Sequence, residues 1–160
     1  MAVYQIGLAV LSGVLVKVVD WIEDDKKSKN PLRYLIAITY GAAIGYLIGT
    51  ADFSVVFLSA LIAQVLARKI DTMAHNIGFL VAILSTLYFG IPQIDLFLAG
   101  FFIILAVIDE TEYFVHPLMK YRPFLKVGTL GFGIISGQWT YFVGIMAFDV
   151  GYELFAASIK

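Results

Sequence analysis

Cysteine is absent from the 160 residues, which excludes disulfides, thiolate metal sites and cysteine nucleophiles. Charge is scarce too. Asp, Glu, Lys and Arg make up 14% of the chain against about 25% in soluble domains, and 61% is hydrophobic against about 45–50%. The 11 basic and 12 acidic side chains nearly cancel and form no long basic arm, which excludes a general attraction to nucleic acid. The longest polar stretches, 23–33 and 110–126, are loop-sized, so residues 1–160 are expected to form a single transmembrane domain. The first apolar run has no basic leader and reads as a retained helix.

What is present is a series of apolar runs. They predict an all-α integral membrane protein, an up-and-down bundle of about seven short transmembrane helices at 2–22, 33–50, 53–73, 76–91, 95–112, 124–136 and 138–157. The break at 136–138 is the weakest, since 124–155 would also serve as one long or kinked helix. With seven spans every Lys and Arg, from Lys17 to Lys160, falls on one side. The positive-inside rule then sets the N-terminus outside and the C-terminus in the cytoplasm. A recurring plan, an apolar helix with small residues at its middle and an Asp near its end, suggests repeated helical hairpins. Gly41, Gly45 and Gly49 recur every four residues and predict a close-packed face, and Gly133 with Gly137 suggests another.

The chemistry is concentrated where the odd-numbered helices end. Asp20 and Asp24, Asp71 and His75, Asp109 and Glu112, and Asp149 and Glu153 are three or four residues apart, the spacing that puts two ligands on one helical face. In an alternating bundle all four pairs share one end. Helix C-termini already carry partial negative charge, so acids there need a compensating cation. The ordinary explanation is pairing with Lys17 and Arg68, each three residues before its acid. Asp109 and Asp149 have no base within a turn on their own helices, and an unpaired acid in hydrocarbon is costly. Glu23, Asp25 and Glu110 read as solvated, and Asp52 and Asp95 as helix caps.

Carboxylate oxygens suit Mg²⁺ or another divalent cation, which commonly binds together with a substrate phosphate. The even helices begin at the same end, with Arg33, Arg122 and Lys126 near their starts, where free amides favour anions. The expected function is therefore a membrane protein with a cytoplasm-facing acidic cavity that binds a divalent cation. Such a cavity points to a Mg²⁺-dependent enzyme acting on a phosphorylated lipid or polyprenyl partner. A cation or proton transporter using the same carboxylates is the alternative, and a structural or assembly subunit without a site is the third.

Overall fold

Each apolar run becomes a helix, and most of the breaks have a visible local cause. The computed structural model describes residues 3–28, 30–50, 52–91, 93–111 and 122–159. These form seven α-helices: α1 (Val3–Asp20), α2 (Leu32–Gly49), α3 (Ser54–Leu66), α4 (Met73–Phe89), α5 (Leu96–Glu110), α6 (Pro123–Ser136) and α7 (Thr140–Ser158). No strand occurs among the described residues. A π-helical turn, Trp21–Asp25, continues α1, with the Lys26 amide bonded to the Trp21 carbonyl at 2.9 Å. Such a turn widens the spacing, so Asp20 and Asp24 are not stacked as on an ideal α-helix.

The third helix stops earlier than its sequence suggests. It ends at Leu66, and Arg68 adopts a left-handed backbone with φ 55°. Arg68, Lys69 and Asp71 therefore lie in the connection, whereas His75 belongs to the first turn of α4. Thr72 starts that helix by accepting a hydrogen bond from the His75 amide at 3.3 Å. Asp95 caps α5 as expected, accepting from the Phe97 and Leu98 amides at 2.9 and 3.1 Å. The α3 cap position falls on Phe53 instead of Asp52 and has no side-chain cap bond. The 136–138 break is real, because Gly137 takes φ 74° and its amide closes α6 on the Gly133 carbonyl at 2.9 Å.

Small residues set the helix contacts. A Cβ on Gly41 would strike the Gly78 carbonyl, and one on Gly45 would meet the Ala82 carbonyl and Ser85 at 2.5 Å each. One on Gly49 would meet Phe89 at 2.7 Å. The partners advance together, so α2 and α4 pack in parallel over their length. Gly13 and Gly151 bring α1 and α7 together in the same way, with the Phe148 and Val10 carbonyls where side chains would go. Gly137 has no such neighbour and serves only as a cap. Helices α3 and α5 also run parallel, joined by the Ser59 hydroxyl donating to the Ala99 carbonyl at 3.1 Å. Phe53, Phe102, Leu47 and Ile48 fill the interior.

Large apolar side chains also cover the outside. Leu80, Leu84 and Leu87 on α4 and Leu96, Phe97 and Ile104 on α5 are each more than half exposed. Two helical stretches, Val3–Asp24 with 22 residues and Leu32–Gly49 with 18, are long and apolar enough to cross a membrane. Ser54–Leu66, Met73–Phe89 and Pro123–Ser136 are apolar but shorter.

Candidate functional site

The later parts of α1, α3 and α5, the beginnings of α4 and α6 and the middles of α2 and α7 surround a cavity of about 460 Å³. Its lining changes character along the helices. Toward the helix middles it is made of Ile44, Phe57, Ala60, Ala82 and Ile145. Toward the ends it carries Asp20, Asp24, Lys69, Asp71, His75, Asp109, Glu110, Arg122, Lys126 and Asp149. One end is hydrocarbon and the other is charged.

A hydrogen-bonded chain crosses the charged end. The Tyr152 hydroxyl donates to Asp20 Oδ2 at 2.6 Å, Asp20 Oδ1 lies 3.1 Å from His75 Nε2, and His75 Nδ1 is 3.0 Å from the Tyr40 hydroxyl. With Nε2–H directed at Asp20, a neutral imidazole leaves Nδ1 to accept from Tyr40. Both ring nitrogens are thus engaged by the protein. Residues from α7, α1, α4 and α2 are tied in sequence, and Asp20 pairs with His75 while Lys17 lies over the Tyr152 ring at 5.1 Å.

The other acids are held one by one. Asp109 accepts from the Phe124 amide at 2.9 Å and the Leu125 amide at 2.7 Å, filling the N-terminal seat of α6. That seat was expected to receive a phosphate. Lys126 is ion-paired with Asp149. Arg122 Nε is 3.2 Å from Glu110 Oε1, which also accepts from Gln64 Nε2 at 2.6 Å. Burial works against the Arg122 charge, but Glu110 and, beyond it, Tyr152, Asp149 and Asp20 outweigh it and hold the guanidinium protonated.

Several sequence expectations are displaced. Arg33 does not line the cavity; it pairs with Glu23 at 3.5 Å and donates to the Ser28 carbonyl at 3.1 Å and the Tyr34 hydroxyl at 2.8 Å. Glu23 and Glu110, expected to be solvated, have side chains only 6% and 10% exposed because each meets an arginine. Glu153 is exposed and away from the cavity, while Asp24 and Asp71 line it but remain exposed. Glu112 lies outside the described residues. Among the described residues no three acids or histidines assemble into a group able to hold a metal ion. Asp20, Asp109, Glu110 and Asp149 instead each meet a donor from another part of the chain.

Tyr40 and Tyr152 join the site without having been signalled in the sequence, and Gln64, which reads there only as one of several scattered polar residues for a transport path, joins it through Glu110. Tyr40 lies in the middle of α2 and Tyr152 well inside α7, and each is marked only by the partner that another helix brings to it. No protein-family model matches the chain, nor does any curated protein or any solved structure.

Proposed function

We propose that this chain is a multi-pass membrane protein whose cavity binds a phosphorylated amphiphile and acts on its headgroup with the help of a divalent cation. The observation that carries the reading is the polarity of the cavity. An ion alone needs neither about 460 Å³ nor the apolar wall of Ile44, Phe57 and Ile145. A volume within the roughly 300–1,000 Å³ of small-molecule sites, charged at one end and apolar at the other, suits a headgroup joined to hydrocarbon. The exposed leucines and phenylalanines of α4 and α5 suit a surface in contact with lipid. On this reading the bundle alternates through the bilayer, with the charged end of the cavity in the cytoplasmic leaflet and the C-terminus inside.

Ligand entry works by exchange. Lys126 and Arg122 each face a carboxylate that a phosphate can replace, and replacement releases Asp149 and Glu110. Those freed oxygens, with the phosphate itself, would supply the hard donors that Mg²⁺ prefers, so Asp149 and Glu110 would hold the cation only together with a bound phosphate. Mass spectrometry of the lipid extracted from purified protein tests the reading: a phosphorylated amphiphile accompanies the wild type and is lost from the Arg122→Gln, Lys126→Gln double variant. Equal lipid profiles for the two proteins contradict it.

A second reading draws on one specific observation, the unbroken chain from Tyr40 through His75 and Asp20 to Tyr152. All four groups line the cavity, so such a chain can pass protons along its wall, one part of the path that proton-coupled transport requires. Proton flux into proteoliposomes that disappears in His75→Gln supports this reading, and an unchanged flux removes it.

A further inference from the structure

A second hollow lies beside the first. Helices α3 and α4 are consecutive, yet they diverge after their short connection and leave a groove of about 290 Å³. Among the described residues its walls are entirely apolar, including Leu58, Ile62 and Val65 from α3 and Ile83 from α4. Leu61 and Phe79 belong to both hollows, lining the groove on one side and the charged cavity on the other. Val65 and Ile83 are 46% and 37% exposed at the outer surface. The groove therefore leads from the outside of the bundle, between two helices, to the wall of the cavity.

We propose that this groove is the seat and lateral entrance for the hydrocarbon chain of the amphiphile whose headgroup enters the cavity, an inference that rests on the headgroup reading above. The shared wall decides the occupant. Only the Leu61 and Phe79 side chains stand between the groove and the charged cavity, so a hydrocarbon chain lying against Ile83 and Val65 would reach the headgroup end by displacing those two side chains, without crossing a polar surface. A peptide would leave its backbone donors and acceptors without partners in this lining. The substrate class follows: one phosphate headgroup on a linear acyl or isoprenoid chain, admitted from the side of the bundle.

The test compares binding of dodecyl phosphate and butyl phosphate to the full-length protein held in amphipol. Burial of the longer chain is expected to make dodecyl phosphate at least about a hundredfold tighter. Ile83→Trp fills the groove, and Val65→Asn adds a polar group at its rim with little change in volume. Both are expected to reduce the chain-length advantage at least about tenfold and to leave butyl phosphate affinity unchanged. If butyl phosphate binds but dodecyl phosphate binds no tighter, or if both variants keep the full advantage, the groove is not the chain's seat and the headgroup reading stands. If neither phosphate binds, both ideas fall together.

Discussion

The Tyr152 hydroxyl donates to the Asp20 carboxylate across 2.6 Å, joining the last helix to the first. The same carboxylate holds His75 of α4 through its other oxygen. One acid near the end of α1 therefore fixes the relative positions of three helices, and its two oxygens serve different partners.

Tyr152→Phe removes the hydroxyl and leaves Asp20 with His75 alone. Loss of a hydrogen bond to a charged group is expected to cost about 1.5–3 kcal/mol, read as a lower thermal midpoint. Asp20→Asn is expected to cost at least as much, because it also removes the charge facing His75. A Tyr152→Phe protein as stable as wild type would mean that the bond contributes nothing to holding α7 on α1.

The glycines divide into two classes that stability measurements can separate. Gly13→Ala and Gly41→Ala push a methyl group into the carbonyls of Phe148 and Gly78, and each is expected to cost about 1–3 kcal/mol. Gly100→Ala and Gly131→Ala meet nothing within 4 Å and are expected to be neutral or to stabilise by up to about 1 kcal/mol. Similar effects in both classes would contradict the close α1–α7 and α2–α4 packing.

Asp109 links two helices as a cap. Asp109→Ala leaves the Phe124 and Leu125 amides without their acceptors and is expected to cost about 1–2 kcal/mol. Asp109→Asn retains one acceptor oxygen and is expected to cost less. Amide hydrogen exchange checks this directly, with faster exchange at Phe124 and Leu125 in the alanine variant and little change in α2.

Metal binding is expected to depend on the phosphate. Because Asp149 and Glu110 are paired in the free protein, Mg²⁺ affinity is expected to be weak alone and to rise at least about tenfold with saturating dodecyl phosphate. By reciprocity Mg²⁺ strengthens phosphate binding by the same factor. Equal Mg²⁺ affinity with and without the phosphate would contradict the exchange.

Much of the architecture could be read from local features. Apolar run length located all seven helices, Gly41, Gly45 and Gly49 marked the α2 face that meets α4, and Asp95 marked the start of α5. The end of α3 was placed too late: the apolar run stops at Ala67, before Arg68 and Lys69, but the helix was expected to carry those charges on to 73, and nothing in the sequence announces the left-handed turn at Arg68. For the site, Asp20, Asp109, Asp149, Arg122 and Lys126 do line one cavity. Their partners were not legible. Spacing along one helix finds neighbours three or four residues away, whereas Asp20 with Tyr152, Gln64 with Glu110 and Tyr40 with His75 meet only when helices distant in sequence pack. Glu23 and Glu110 illustrate the same limit, since each is buried by an arginine from another helix or from beyond its own.

The headgroup claim is tested most directly by the affinity of dodecyl phosphate for wild type and for the Lys126→Gln, Asp149→Asn double variant. Replacing both members of the pair preserves the charge balance and leaves no unpaired buried ion, so the fold is expected to stay within about 1 kcal/mol of wild type. At least about a tenfold loss of phosphate affinity is expected, since a charge-assisted contact to the headgroup is gone. A double variant that folds as well as wild type and binds dodecyl phosphate equally tightly would show that the charged end of the cavity is not where a headgroup goes.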